Sequence, residues 1–200
     1  GDVYKRQQLH ADRQAIDEGK ARFARFVADP SSVPPSMIDF VTGTAGRYAD
    51  QATYELLAAR AANALSSEER NRFGRALASA LDPQLAARTL QSLLSPQTPP
   101  DLVPYIVGGV AGEHLEQAWN FAIANREALL ENMEALGRNS LFASIVASSS
   151  NPAHADMMEA YMRKNFGPDG VVEAERVGNG VRIRADQKAR LLPQVRAALQ

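Results

Sequence analysis

The chain is predicted to be all-α, built from stacked antiparallel helical hairpins that form a curved solenoid. Three observations predict this. Apolar residues recur at helical spacing in window after window. Proline, glycine and capping residues break the pattern into pieces of about ten to twenty residues, the ordinary length of globular helices. A single stretch, Val177-Gly178-Asn179-Gly180-Val181 with Arg182-Ile183-Arg184, alternates as a strand would. Successive helices on short connections pair as hairpins, and stacked hairpins make solenoids. No exact internal repeat is present, which argues against a tetratricopeptide or ankyrin array.

The elements follow in order. Residues 11–28 carry Ile16, Phe23, Phe26 and Val27 on one face, and the proline-rich break Asp29–Pro35 ends them. Residues 35–47 use Met37, Ile38, Val41 and Ala45 and close near Gly46, and residues 50–65 use Tyr54, Leu57, Ala58, Ala61 and Leu65. Ser66 with Glu69 forms a capping box for a helix using Phe73, Leu77 and Leu81. Asp82-Pro83 is a capping carboxylate followed by a first-turn proline, and starts a helix with Leu85, Leu90, Leu93 and Leu94 that stops at Ser95-Pro96. Pro99-Pro100-Asp101 opens a segment with Leu102, Ile106 and Val110 that ends around Gly112.

The helix expected next, residues 113–136, holds the only tryptophan. Leu115, Trp119, Ala122, Ile123, Leu129, Leu130, Met133 and Leu136 form its apolar stripe, with Trp119 expected to be buried between neighbouring helices. Gly137–Ser140 is the expected break. Residues 140–149 use Leu141, Phe142, Ile145 and Val146. Asn151-Pro152 starts a helix with Ala155, Met158, Met162 and Phe166, stopped by Gly167-Pro168. Val171–Arg184 reads either as helix or as a glycine-turn hairpin. A lone hairpin is marginal and no other strand is available to pair with it. A short helix before Gly178 and a second from about Ile183 to Leu199 is therefore favoured.

Composition narrows the function classes. The chain has 200 residues, 45% of them hydrophobic, a net charge of −1 and no cysteine. That suffices for a sizeable core and excludes disulfides and thiolate metal sites. Nothing marks the whole chain as nucleic-acid-binding. No run is long and apolar enough to span a membrane, and no apolar signal core begins the chain. Compartment is left open.

Residues 113–121 and beyond also carry a resemblance. Ala118-Trp119-Asn120-Phe121 with Asn125 is similar to the Ala-Trp-x-Phe…Asn helix in the C-terminal domain of zinc aminopeptidases of the alanyl/puromycin-sensitive type. The flanking pieces stand in that family's order across roughly residues 9–199. They are a first helix pair, then Tyr54-Glu55-Leu56-Leu57, then Glu69-Arg70, Arg75-Ala76-Leu77-Ala78 and Leu81-Asp82-Pro83-Gln84-Leu85, then the Trp119 helix, a stop at Asn165-Phe166 and a basic last helix. Two departures stand out. Arg126 takes the place where the family often has tryptophan, and Gly178 and Gly180 interrupt what is commonly a continuous helix.

The resemblance implies a HEAT-like solenoid over residues 9–200, the accessory C-terminal domain of an enzyme that removes N-terminal residues from peptides. It implies closure over a catalytic domain of the same parent chain and a share in the peptide cavity. It places the zinc in the parent, on a His-Glu-x-x-His helix and a downstream glutamate, with a Gly-Ala-Met-Glu-Asn strand holding the substrate's amino terminus. Neither motif occurs in this sequence, so the chain alone is expected to be inactive, with no catalytic, cofactor or metal residues and no zinc of its own. Residues lining the peptide cavity are not assigned. Asp2–Gln7 resembles the in-frame translation of a sequencing-library adapter. Residues 1–8 are therefore expected to be a non-native or disordered tail, with the upstream part of the protein missing. A free-standing helical-repeat scaffold for a protein partner, and a helical-repeat nucleic-acid binder, are the alternatives.

Other candidate sites read as structural. His10, His114 and His154 lie far apart, with no pair four residues apart, and are expected to be surface histidines rather than metal ligands. Gly108-Gly109-Val110-Ala111-Gly112 and Thr42-Gly43-Thr44-Ala45-Gly46 lack the strand before and the Lys-Ser/Thr ending of a phosphate loop, so close helix packing is favoured. Ser148-Ser149-Ser150 is loop material with no identifiable base. Met133, Met157, Met158 and Met162 read as core filler, or at best as an adaptable contact surface. Arg176, Arg182, Arg184, Lys188, Arg190 and Arg196 oppose Asp186 alone in the tail, while residues 113–136 carry five glutamates and one arginine. These solvated faces are expected to attract each other in the fold, the functional alternative being a basic surface towards a peptide carboxylate or nucleic acid. Without interleaved aromatics, a nucleic-acid role for the tail is disfavoured.

Overall fold

The computed structural model describes the backbone of residues 2–131 and 133–198, with side chains from residue 13 to 131 and from 133 to 197. Leu199 and the His10 side chain lie outside them. Among the described residues every regular element is helical: α1 (Asp2–Ala28), α2 (Ile38–Arg47), α3 (Gln51–Ala62), α4 (Ser67–Ala78), α5 (Pro83–Ser92), α6 (Val103–Ala124), α7 (Arg126–Leu130), α8 (Ala135–Val146), α9 (Pro152–Asn165) and α10 (Pro168–Ala198). Short 3-10 turns at Pro30–Ser32, Pro35–Met37 and Pro100–Leu102 follow the proline clusters. The all-α reading therefore holds.

The chain divides into two compact units, residues 1–89 and 90–200, with the division inside α5. In the first, Phe23, Phe26, Val41, Ala45, Leu57 and Phe73 form the core. Helices α2 and α4 run the same way: Arg72 reaches Asp39 near the start of α2, and Gly46 near its end meets Ala76. Parallel alternate helices are what stacked hairpins produce. Tyr54, Ala80 and Leu85 make a satellite cluster, and the Tyr54 hydroxyl is 3.0 Å from Thr89 Oγ1.

The caps foreseen in the sequence are formed. Ser66 Oγ accepts from the Glu69 N–H at 3.1 Å, and Glu69 accepts in return from the Leu65 N–H at 3.0 Å. Asp82 accepts from the Gln84 N–H at 2.7 Å, and Asn151 from the Ala153 N–H at 3.1 Å. Leu65, placed on the α3 stripe, is instead 97% exposed because α3 ends at Ala62. Leu81 lies past the end of α4 and is exposed. α5 stops at Ser92, before Ser95-Pro96.

Three boundaries in the second unit differ from expectation, but the break expected near Gly112 is present: α6 is two helical stretches joined across a kink at His114, whose φ −129° and ψ 56° are not helical. It then ends at Asn125, whose side-chain amide donates to the Phe121 carbonyl at 2.9 Å and competes with helix continuation. The Trp119 helix is thus shorter than 113–136. The chain leaves helix before Ala135, so Gly137–Ser140 lies inside α8 rather than breaking it, and Leu136 is 83% exposed.

The third difference is the tail. Val171–Arg184 is neither a hairpin nor a pair of helices but part of the single α10. A Cβ at Gly178 would sit 2.0 Å from Glu159 Oε1, so this glycine makes room for a buried carboxylate of α9. Helix α10 packs antiparallel on α9. Gly170 lies beside Phe166, Gly178 beside Glu159, and Arg182 reaches Asp156.

Candidate functional site

The second unit is organised around aromatic rings from three helices. Trp119 of α6 is 7% exposed and meets Phe142 of α8 edge-on at 5.8 Å and Tyr161 of α9 at 5.4 Å between centroids. Phe142 and Tyr161 are 4.6 Å apart, and Phe166 closes the cluster 5.7 Å from Phe142. Such tilted and edge-on pairs suit ring quadrupoles. Burial raises the Tyr161 phenol above its ordinary pKa, against the pull of the nearby Arg126 charge. Met158 and Met162 fill the core beneath, as expected of filler.

Arg126 sits over Phe166, its guanidinium carbon 5.4 Å from the ring centroid. Its Nη2 donates to the Asn165 carbonyl at 3.3 Å, and its Nε is buried without a hydrogen-bond partner. The sequence departure at 126 thus exchanges an aromatic side chain for a cation stacked on one.

Two cavities flank the chain around Met133 and Glu134. One, about 630 Å³, is lined by Pro104, Tyr105, Met133, Leu136, Ser140 and Ser144. The other, about 650 Å³, is lined by Arg126, Leu130, Arg138, Asn139, Asn165 and Phe166, among others.

The glycine-rich stretches lie inside helices, where close packing explains them. A Cβ at Gly108 would come 3.0 Å from the Ser144 carbonyl of α8, and Ser144 Oγ donates to the Pro104 carbonyl at 2.8 Å. A Cβ at Gly46 would come 2.1 Å from the Ala76 carbonyl. His114 marks the α6 bend. Among the described residues, no group of three or more His, Cys, Asp or Glu is placed to hold a metal.

Ser149 is a correction to the sequence reading, because a base does stand beside it. Its Oγ is 2.9 Å from His154 Nδ1. The signal in the sequence was the Asn151-Pro152 cap, which folds the serine run back over the first turn of α9. The pair serves that cap. Ser149 Oγ also accepts the Asn151 N–H at 3.0 Å, and Arg184 Nε donates to the Ser149 carbonyl at 2.9 Å. The neighbour of His154 Nε2 is the Asn151 amide at 3.5 Å rather than a carboxylate able to support an imidazolium.

The basic tail is partly spent inside the fold, though not on the partners expected. Arg182 binds Glu159 at 2.7 Å and Asp156 at 2.6 Å, both on α9. These two hydrogen-bonded carboxylates raise its pKa further above the ordinary guanidinium range. Arg184 donates to the Ser149 and Ala147 carbonyls, and Lys188 to Ser150 Oγ at 3.4 Å. Arg182 is therefore neutralised by α9, and Arg184 is held by carbonyls of the turn before it, rather than by the glutamates of 113–136.

The sequence matches the family model described as the ERAP1-like C-terminal domain over residues 6–176. The match spans both units and includes the Asp82-Pro83 start and the Trp119 helix. With the all-α architecture it agrees with the order of motifs read from the sequence. The chain belongs to the ERAP1-like C-terminal domain family, the C-terminal domain of aminopeptidases of this type.

Proposed function

We propose that this chain is the accessory domain of a zinc-dependent aminopeptidase, closing over the catalytic part of the same parent chain and forming a wall of its peptide cavity. The family match over residues 6–176 carries the reading. In it the zinc chemistry belongs to the parent, and the isolated chain hydrolyses nothing. The second half of α10 supports contact with further protein. Residues 186–197 are exposed throughout, and Ile183, Leu191, Leu192 and Val195 present apolar groups to solvent. An apolar row of this kind on a soluble helix marks an interaction surface.

Two experiments test the proposal. The coding sequence upstream of residue 9 must carry a His-Glu-x-x-His motif, and a reading frame without one removes the proposal. In the full parent, Leu191→Asp with Val195→Asp leaves the exposed helix folded but disturbs its contact. Turnover of long peptides is expected to fall more than that of a dipeptide analogue. Equal turnover of both would leave the domain a structural appendage.

A further inference from the structure

We propose that the cavity between α7, the start of α8 and the α9–α10 turn is a binding site for a small oxyanion, a carboxylate or phosphate group on an apolar body. The carrying observation is a pair of cations that form no ion pair among the described residues. Arg126 and Arg138 both line this cavity of about 650 Å³. Among the described residues, both guanidinium groups bind only backbone carbonyls: Arg126 that of Asn165 at 3.3 Å, Arg138 those of Met133 at 2.7 Å and Glu131 at 3.5 Å. Arg126 Nε has no acceptor at all. Arg163, Arg176 and Arg182 of this unit are paired to glutamate or aspartate, whereas Arg184, like the cavity pair, donates to backbone carbonyls. Two like charges sharing a recess repel each other, and an anion between them relieves that repulsion.

The rest of the wall fits the same ligand. Glu134, which precedes α8, makes no side-chain cap, and Glu134 and Ala135 line the cavity, so the positive end of α8 opens into it. Gly167, immediately before α10, lines it as well. Asn139 and Asn165 add amide groups that can donate. Leu130, Met133 and Phe166 give an apolar wall for the body of the ligand. Glu134 is the one carboxylate on the wall, so the two arginines leave a net positive charge. The planar guanidinium fork matches carboxylate and phosphate oxygens alike. The cavity lies within the usual range of small-ligand sites, roughly 300–1,000 Å³.

The test is calorimetric titration of the 200-residue chain at low ionic strength with three probes: inorganic phosphate, hexanoate and the neutral hexanamide. Saturable binding of hexanoate or phosphate, with none of hexanamide, is expected. Hexanoate ahead of phosphate identifies a carboxylate ligand, and the reverse order a phosphate. Arg126→Gln and Arg138→Gln are each expected to weaken binding about tenfold, the cost of a charge-assisted hydrogen bond. Arg126 also packs on Phe166, so Trp119 fluorescence reports whether that variant keeps its fold, and Arg138→Gln stands as the second variant. Arg196→Gln makes the same charge change on exposed α10 and should leave affinity unchanged. Equal binding of hexanamide and hexanoate overturns the proposal, as does equal weakening by Arg196→Gln. Absence of saturation below about 10 mM of either anion overturns it too.

Discussion

Single residues here are decided by how closely neighbouring helices approach. Gly43 and Gly46 lie on the same helix, α2, and the sequence treats them alike. Their surroundings do not. A Cβ at Gly43 meets nothing within 4 Å, whereas one at Gly46 would fall 2.1 Å from the Ala76 carbonyl oxygen, a backbone atom of α4 that cannot turn aside. Alanine in a helix interior is favoured over glycine by about 0.8–1 kcal/mol. Gly43→Ala is therefore expected to stabilise the chain by up to that amount. Gly46→Ala should instead destabilise it by roughly 1–3 kcal/mol or more, the range for overpacking. Urea unfolding of the two variants checks this, and similar shifts in midpoint would show that the α2–α4 approach is looser than described. Gly178 illustrates what was not legible. A glycine next to Asn179 and Gly180 reads locally as a turn. Its role depends on Glu159, nineteen positions earlier in the sequence and visible only once α9 and α10 are packed. Ser149 and His154 were hidden for the same reason, since a cap brings together side chains whose sequence spacing matches no catalytic pattern.

At the level of elements, starts were more legible than ends. A helix start is a local event, in which one side chain satisfies one or two orphan N–H groups, and Ser66, Asp82 and Asn151 each announce it by residue type. The ends of α3, α5 and α6 were misjudged because leucines beyond them kept the helical spacing, and spacing alone does not say where tertiary contact stops. The Trp119 helix ends through the back-bonding of Asn125, which competes with the helix it closes. Asp50, the N-cap of α3, allows the capping argument to be tested by pH. Its carboxylate accepts from the Thr53 N–H at 2.8 Å. That hydrogen bond, ahead of the side-chain interaction with Thr53 and the weaker pull of Lys20, lowers its pKa in the folded state. A depressed folded pKa stabilises the fold above the unfolded value, about 3.9 for aspartate, and that contribution is lost as pH falls through the folded one. Asp50→Ala is thus expected to cost about 0.5–2 kcal/mol near neutral pH, the range for a lost N-cap. The gap between variant and wild-type melting temperatures should narrow as pH falls below about 4. A gap that stays constant down to pH 2 would mean the cap acts without its charge.

The whole molecule was legible as to class and family, because both rest on features spread along the chain: repeated helical spacing, proline starts and the order of short motifs. The division into units at residues 89 and 90 was not. It falls inside α5, where Leu85 packs with Tyr54 and Ala80 of the first unit and Leu90 is buried in its turn. An apolar stripe continues unbroken through such a helix, and nothing in its spacing marks a division. The division determines how the cavity role should be tested by truncation. A cut at residue 113 would split α6 at its bend and strand Val103, Ile106, Val107 and Val110, all buried against the rest of the second unit. Loss of activity would then report misfolding. A cut after Ser95 removes the second unit's helices from α6 onward and leaves the first unit's core residues, Phe23 through Phe73, all in place. In the parent enzyme that deletion is expected to spare zinc content and turnover of an aminoacyl-anilide, whose chemistry the proposal puts in another domain, and to lower kcat/KM for long peptides. Comparing the two substrates in one preparation separates the cavity role from general instability, which would lower both together. If the folded, zinc-loaded truncation trims long peptides as well as the intact enzyme, the domain forms no part of the cavity wall.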